Sequence, residues 1–308
     1  MQVLLRPAWA IAAKARRRLR AWQLQLAAAK RVQANRLDQP LETPRAVRMD
    51  CRLCGTKSAA HEILGCVPLT QQGEFDNDVY ELVHCAACDV VYLLPLPSTR
   101  DLNRLYLETE QFDSASYSGS AESSRILRSY ARRLDYLDLL PAAGEAVLEV
   151  GAGLAWVSRA CKQRRPDVRT IAQDVSDECV SRCAWVDDYR IGPIEAWPLQ
   201  SEFRLISMTH VIEHLPNPQA ILANLAQRLI GGGKIYITAP FRPPLWKHRH
   251  GIGPWLTYGY LHVPAHLSYF SRCWFERKAP ACGLELVHWD DSHDGHQVCE
   301  VVLSRLRG

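Results

Sequence analysis

Short apolar runs alternate with stretches of helical spacing along this chain, most regularly after residue 140. The run Ala146 to Val150 carries one acid, Glu149, and ends on Gly151 and Gly153. A helix-compatible stretch, Leu154 to Arg164, follows. The pattern predicts a strand, a tight turn and a helix N-terminus. Glycine suits such a turn because the backbone needs unusual φ/ψ there and a ligand must approach it closely. Val168 to Ala172 predicts the next strand, closed by Asp174, and Phe203 to Met208 a third. Ala220-Ile221-Leu222, Leu225 and Leu229-Ile230 are helix-periodic, with Gly231-Gly232-Gly233 as the expected stop. Lys234 to Ala239 reads as a strand ended by Pro240, and Phe270 to Cys282 as a helix. Leu284 to Trp289 and Val298 to Ser304 read as a closing pair of strands. Alternating β and α with such a pair predicts a doubly wound, mostly parallel, Rossmann-like α/β sheet.

The pattern upstream is different. Tyr80 to His84 and Val90 to Leu94 read as strands, and Gly65, Pro68, Gly73 and Asn77 as turns of a small β-rich module. Ser98 to Tyr106 begins like a capped helix, with Ser98 or Thr99 as N-cap and Leu102 and Leu105 as its apolar positions. Residues 113–124 are serine-rich and read as a mobile loop. Ile126, Leu127, Tyr130, Leu134 and Leu137 then keep helical spacing up to Pro141. The expected division is an extension and linker over 1–45, the β module over 46–97, a helical connector over 98–142, and the α/β domain over 143–308.

Composition changes this picture in two places. The chain has 308 residues, 47% hydrophobic and 23% charged, enough for about two globular domains. The net charge of +4 does not by itself indicate nucleic acid, and no apolar run approaches the ~18 residues of a membrane span. Residues 1–36, however, hold nine Lys/Arg and no Asp or Glu. Three readings stand for this basic helical segment: contact with an anionic membrane surface, an organelle transit peptide lacking serine, or a solvated extension without a catalytic role. The stretch Ala8 to Ala13 is too short for a secretory signal. The chain also has eleven cysteines, seven of them scattered. Without a signal peptide, that pattern suggests a reducing compartment, hence a cytoplasmic protein, peripheral at the membrane if residues 1–36 bind one.

The other four cysteines form two Cys-x-x-Cys pairs, Cys51/Cys54 and Cys85/Cys88, with 30 residues between them. Each pair places two thiolates on one tight turn, and four thiolates complete a closed tetrahedral Zn²⁺ site. Such a site keeps no open position, so its zinc is expected to be structural. His84 is an alternative ligand in place of Cys85.

His210-Val211-Ile212-Glu213-His214 follows the Phe203 to Met208 strand, at the carboxyl edge where open α/β sheets bind ligands. On one helical turn, residues 210, 213 and 214 share a face. The spelling matches the inverted zinc-protease motif, but that motif needs a long helix and Pro216 and Pro218 break this one.

Several ordered features together resemble class I S-adenosylmethionine (SAM) methyltransferases with an N-terminal zinc ribbon, proteins often associated with sugar, glycan or natural-product modification. They are the ribbon with its trailing Val90 to Pro97, Leu148-Glu149-Val150-Gly151-Ala152-Gly153, Asp174-Val175-Ser176, His210 to Pro218, and His266-Leu267-Ser268-Tyr269-Phe270-Ser271. The resemblance covers residues 49–308. It implies that Gly151 and Gly153 meet the methionine part of SAM, that Glu149 supports this loop or the SAM amino group, and that Asp174 holds the ribose hydroxyls. Three departures stand out: Ala155 replaces the third glycine, Pro193 stands where an acid near the adenine is usual, and Phe203-Arg204 replaces Phe-Asp.

For an oxygen acceptor, His214 is the first candidate base and His210 the second, with Glu213 orienting one of them and His266 adding a group from a later loop. Some small-RNA methyltransferases with a similar Glu-His motif bind Mg²⁺ at such places. Here His210, Glu213, His214 and His266 would favour a transition metal. The segment Phe241 to Pro264, rich in aromatic and basic residues and broken by four prolines, is expected to form a lid over the acceptor. The expected activity is methyl transfer to a hydroxyl or carbon of a small or carrier-linked acceptor of sugar or glycan type. The rivals are an RNA methyltransferase and a non-catalytic scaffold that has lost SAM. The sequence sets no oligomeric state.

Overall fold

The computed structural model describes residues 44–71, 74–108, 121–198, 202–292 and 297–306. The basic segment 1–36, nearly all of its linker and most of the serine-rich 113–124 stretch lie outside them. Among the described residues the strands form two sheets. The first is antiparallel and built from β1 (Arg45–Met49), β2 (Ala59–Pro68), β3 (Val79–Cys85) and β4 (Val90–Leu94). Its edge strand is β10 (Ser268–Tyr269), which comes from the far end of the chain and pairs with Tyr92 and Val91. The β module and the α/β domain therefore share a sheet.

The second sheet contains β5 (Ala146–Val150), β6 (Arg169–Asp174), β7 (Asp188–Ile191), β8 (Phe203–Thr209), β9 (Leu229–Pro240), β11 (Leu284–Ser292) and β12 (Val298–Arg305), in the order β11-β12-β9-β8-β5-β6-β7. β5 through β9 run parallel, and β12 lies antiparallel between β9 and β11. This is the expected doubly wound arrangement. From β5 the chain moves outward through β6 and β7, then returns to place β8 on the other side of β5. The carboxyl ends of β5 and β8 thus flank the topological switch point, where such sheets bind ligands.

The helices are short. They are α1 (Thr99–Asn103), α2 (Ala121–Tyr136), α3 (Trp156–Arg164), α4 (Pro218–Arg228) and α5 (Arg272–Lys278). Ser98 caps α1 by accepting from the Asp101 N–H, and a π-helical turn, Arg104–Glu108, continues it. Asn217 caps α4, with Pro218 at its first position where no N–H is needed. α5 starts one residue after Ser271, whose hydroxyl accepts from the Trp274 N–H, and stops before Pro280, so it is shorter than Phe270 to Cys282.

Several elements depart from the sequence expectation. β2 runs through Gly65 and Pro68, two residues read as turns, and pairs them with Leu82 and Val79 of β3. β7 was not foreseen, because Asp188-Tyr189-Arg190-Ile191 is a short edge strand with polar alternation. Gly231-Gly232-Gly233 lies inside β9 rather than ending a helix. Leu229 pairs with Phe203 and Lys234 with Leu205, so the glycines form a bulge in the ladder. A Cβ on Gly233 would lie 2.9 Å from the Phe203 carbonyl oxygen, a backbone approach that only glycine allows.

Most of the aromatic mass of the insertion after β9 packs on the first sheet instead of forming a lid, while Tyr260 stacks on His210. Trp246, Ile252, Trp255, Tyr258, Leu261 and Val263 are buried against Leu64, Val67, Tyr80, Leu82, Val91 and Leu93 of the first sheet. That sheet face is apolar over these six residues and needs a cover, and burial of large aromatics there outweighs leaving them over an open cleft.

Candidate active site

Both loops at the switch point are built by strained turns. Gly151 and Gly153 have φ of +59° and +46°, and Ala155 takes the same left-handed region at +48°. The third turn residue thus needs no glycine, at a strain cost of order 1 kcal/mol. A Cβ on Gly153 would meet nothing within 4 Å, so the loop backbone stays open to a ligand. Gly151 is closed instead: a Cβ there would lie 2.5 Å from Val211 Cγ2. The glycine loop and the His-Glu loop are thus in contact.

Glu149 is buried and its carboxylate accepts from the N–H groups of Val157 (3.2 Å) and Ser158 (2.8 Å). It caps the first turn of α3 and so supports the loop rather than reaching outward. Burial pushes its carboxyl up to about 7 against those two hydrogen bonds. Asp174, at the end of β6, accepts from Gly153 N–H at 2.8 Å and Ser176 N–H at 3.1 Å, which fixes it beside the glycine loop. The sequence did not reveal Gln173, whose only signal is a polar residue in a buried strand. Its Oε1 accepts from Gly151 N–H (3.4 Å) and its Nε2 donates to the Gly192 carbonyl (2.6 Å), joining the ends of β5 and β7. Arg204 pairs with Glu145 at the amino end of β8, away from this edge, so that departure leaves the ligand edge untouched.

At the end of β8, His210 has φ of +56° and Ile212–His214 form one 3₁₀ turn. Glu213 is fully buried, and neither carboxylate oxygen has a hydrogen-bond partner. His210 Nδ1 lies 3.5 Å from Glu213 Oε1 and His214 Nε2 lies 3.9 Å from the same oxygen. The His266 ring sits 4.8 Å from that of His214, edge to face. All four residues expected here therefore come together. Burial would raise the Glu213 carboxyl, but His210, His214 and His266 around it hold it below the ordinary value.

The tautomers follow from the backbone. His214 Nδ1 is 2.9 Å from the Ala265 carbonyl and His266 Nδ1 is 2.7 Å from the Tyr260 carbonyl. A carbonyl accepts only, so both Nδ1 atoms carry the proton and both Nε2 atoms keep a lone pair. Burial lowers His214 below its usual range and takes His266 down to about 3, so both rings are neutral at physiological pH. His210 differs, with its side chain 42% exposed against 18% for His214. Its ring stacks on Tyr260 of the insertion, at 6.0 Å and 9°. Tyr106 adds a hydroxyl 2.9 Å from His214 Nδ1, from a turn the sequence did not link to the site.

The four expected cysteines also meet. Cys51, Cys54, Cys85 and Cys88 are buried, are not disulfide-bonded, and bring their sulfurs within 4.8 Å of one another. Cys51 and Cys88 Sγ are 4.0 Å apart, against roughly 3.8 Å for the edge of a tetrahedron with Zn–S bonds of about 2.3 Å. Cys54 N–H points at Cys51 Sγ (3.4 Å), as a knuckle turn requires. Four buried, unbridged sulfurs this close are the donor set of a closed tetrahedral site. The donor set fits Zn²⁺.

The β module touches the His-Glu loops directly. Arg52, between the first two cysteines, donates to the carbonyls of Leu267 (2.9 Å) and Pro216 (3.4 Å), and Leu267 N–H donates to the Glu213 carbonyl (2.8 Å). An open cleft of about 470 Å³ elsewhere is lined by Asp89, Phe241, Arg242, Arg272, Cys273, Glu276, Trp289 and Asp291, none of which belongs to the glycine loop or the His-Glu cluster.

Residues 122–289, more than half of the chain, match the family model described as "Methyltransferase domain". The chain is similar to the ubiquinone biosynthesis O-methyltransferase of Xanthomonas oryzae pv. oryzae (strain PXO99A), 31% identical over 122 residues, covering 36% of this chain and 50% of that protein. It is 27% identical over 120 residues to the enzyme of the same name from Dechloromonas aromatica (strain RCB), covering 36% and 52%. The chain thus spans about half the length of these curated relatives. Among solved structures, the complex of the Haloferax volcanii Trm112 methyltransferase activator with a putative methyltransferase aligns with a TM-score of 0.47 at 15% identity, over 63% of this chain and 97% of that one. The chain belongs to the methyltransferase-domain family, and its seven-stranded sheet has the class I architecture of SAM-dependent methyltransferases. The open backbone at Gly153 and the fixed Asp174 beside it fit the cofactor of that class.

Proposed function

We propose that this chain transfers the methyl group of SAM to a hydroxyl oxygen of a small acceptor, with His210 receiving the hydroxyl proton and Glu213 orienting His210. The observation that carries this is the contact between the glycine loop and the His-Glu loop through Gly151 and Val211, at the switch point of the sheet. Bound SAM supplies an electrophilic methyl group on a positive sulfonium. The chain holds the acceptor in line, excludes water and takes up a proton. Gly151 and Gly153 are the loop positions for the methionine part, and Asp174 is the acceptor of hydrogen bonds from the ribose.

The geometry favours His210 over His214 as the base. A base must reach the acceptor. His210 has its Nδ1 toward Glu213, which leaves Nε2 facing outward, and it is the more exposed of the two. The stacked Tyr260 ring gives the acceptor a flat apolar face, which suits a sugar ring or an aromatic ring. The relatives are named O-methyltransferases, which supports an oxygen acceptor. Sugar or glycan hydroxyls are the narrower class that we propose from the sequence resemblance. The four cysteines are proposed to hold a structural Zn²⁺.

A second reading rests on Glu213, whose two buried oxygens lack hydrogen-bond partners while one ring nitrogen of each of His214 and His266 lies within 4.8 Å of its carboxylate. Two imidazoles and a carboxylate suit a divalent transition ion, which would lower the acceptor hydroxyl's pKa. Assays with methyl-labelled SAM test the proposal, using sugar hydroxyls, phenolic hydroxyls and RNA as separate acceptors. Label transferred to an oxygen of a small molecule is the expected result. Absence of SAM binding would leave the fold as a scaffold, and label in RNA alone would replace the acceptor class.

A further inference from the structure

We propose that Glu62, His84 and His248 form a second metal site, for a divalent transition ion such as Zn²⁺, that clamps the 241–264 insertion onto the ribbon sheet. Glu62 on β2 and His84 on β3 are directly opposed in the strand register. His248 comes from a 3₁₀ turn of the insertion, His248–His250. One ligand atom from each of the three lies within 4.8 Å of the others.

The donor atoms are set by their surroundings. His84 Nε2 is 2.9 Å from Asp89 Oδ1, and Arg242 grips the same carboxylate with both Nη atoms, at 3.3 and 2.7 Å. Asp89 held ionised by a guanidinium can only accept, so Nε2 carries the His84 proton and Nδ1 is a lone pair. That Nδ1 is buried, on a side chain only 7% exposed, and has no hydrogen-bond partner. It faces Glu62 Oε2 at 4.0 Å, and the same oxygen is 2.8 Å from His248 Nδ1. Zinc bonds of about 2.0–2.1 Å in a tetrahedron put ligand atoms roughly 3.3 Å apart, between these two distances. A hydrogen bond between His248 and Glu62 explains the shorter contact but leaves the His84 lone pair orphaned. A cation satisfies all three groups.

A carboxylate holding the far nitrogen of a ligating histidine is the arrangement that fixes its tautomer and raises its basicity in metal sites. Two imidazoles and a carboxylate are also a recognised zinc donor set, with a fourth position left open. Here that position faces solvent, since the His248 side chain is 54% exposed. The site is distinct from the four-cysteine cluster, because consecutive residues of a strand point to opposite sheet faces and His84 precedes Cys85. It shares its face with Trp246, edge to face with His84 at 5.8 Å. A clamp there would pin the segment that delivers Tyr260 to the His-Glu loops and leads, two residues beyond its end, to His266.

The test is Zn²⁺ binding by the full chain, counted by equilibrium dialysis and elemental analysis. Wild type is expected to hold more zinc than His248→Ala and Glu62→Gln, each of which lowers the affinity of the additional site at least about 100-fold. Asp89→Asn should weaken that site about 10- to 100-fold. His266→Ala, which alters the other histidine cluster, should keep it. His248 and Glu62 are not buried, so both variants are expected to fold, and circular dichroism checks this. Zinc counts and affinities in His248→Ala and Glu62→Gln equal to those of wild type would overturn the proposal. So would a wild-type chain with no zinc beyond the four-cysteine site, or an additional zinc lost only in His266→Ala.

Discussion

Gly151 and Val211 touch so closely that the glycine loop and the His-Glu loop are effectively one surface: a methyl group on Gly151 would sit 2.5 Å from Val211 Cγ2, at a backbone φ of +59°. Gly151→Ala should therefore be both strained and overpacked, at about 1–3 kcal/mol for the clash alone. SAM affinity by calorimetry and the melting temperature should both fall. Gly151→Ala with Val211→Ala should recover part of the loss, because the clash is with Val211. Equal defects in the single and double variants would show that backbone strain accounts for the whole effect.

Asp174→Ala should weaken SAM binding by about tenfold to a hundredfold, the equivalent of roughly 1.5–3 kcal/mol for charge-assisted hydrogen bonds. Part of the effect will come from freeing Gly153 and Ser176, whose N–H groups this carboxylate holds. A dissociation constant equal to that of wild type would place the ribose elsewhere.

His210→Ala should lower turnover about 10²–10⁴-fold with SAM affinity nearly constant. His214→Ala should be milder if an imidazole takes the proton. If a bound cation instead lowers the acceptor hydroxyl's pKa so that its proton leaves to water, the order reverses: His214→Ala and His266→Ala become the severe variants, and dialysis against a chelator stops turnover in wild type.

Arg52 links the first knuckle to the carbonyls of Pro216 and Leu267. Arg52→Met should cut turnover about tenfold to a hundredfold by displacing the His-Glu loops, while SAM binding holds. Arg52→Lys should recover only part, since one ammonium cannot span both carbonyls. In the same region, Cys85→Ser should abolish the Zn²⁺ binding proposed for the four-cysteine cluster and lower the melting temperature, because binding energy in such a site is folding energy.

Glu149 gives a pH signature. Its carboxyl titrates near 4.5 in the unfolded chain and at about 7 when buried in the native one. The native state therefore binds the proton more tightly. The associated stability is complete below pH 4.5 and lost as pH rises through 7, up to about 3 kcal/mol. Glu149→Gln should be less stable than wild type at pH 4.5, having lost one of two N–H acceptors. The gap should narrow or reverse by pH 8. Parallel stability curves from denaturant titration would count against this.

The parallel core was legible because its strands are apolar runs ended by acids or glycines, and both cysteine pairs announce themselves by spacing. Three things were hidden for physical reasons. The Gly231 to Gly233 segment carries the composition of a helix stop, and only the close approach to the Phe203 carbonyl reveals a bulge. Trp246 and Trp255 belong to a core that the first sheet needs but that its own residues do not announce, since they lie far away in sequence. The choice between His210 and His214 depends on which carbonyls face which ring nitrogens, and those contacts form only in the folded chain. The ligand face of Glu62, His84 and His248 was invisible for the same reason. In the sequence, His84 stands out only as a substitute for its neighbour Cys85.

The pairing of β4 with β10 also has a consequence for synthesis. Val90–Leu94 leaves the ribosome well ahead of Ser268–Tyr269, and at about 5–20 residues per second the gap lasts roughly 10–35 s. During that time the ribbon has an open strand edge and a bare apolar face. Such an edge is a template for pairing with other chains. The nascent protein is therefore most vulnerable to aggregation midway through its production, and a chain truncated before residue 268 should be captured by chaperones or precipitate even though its cysteine knuckles are complete.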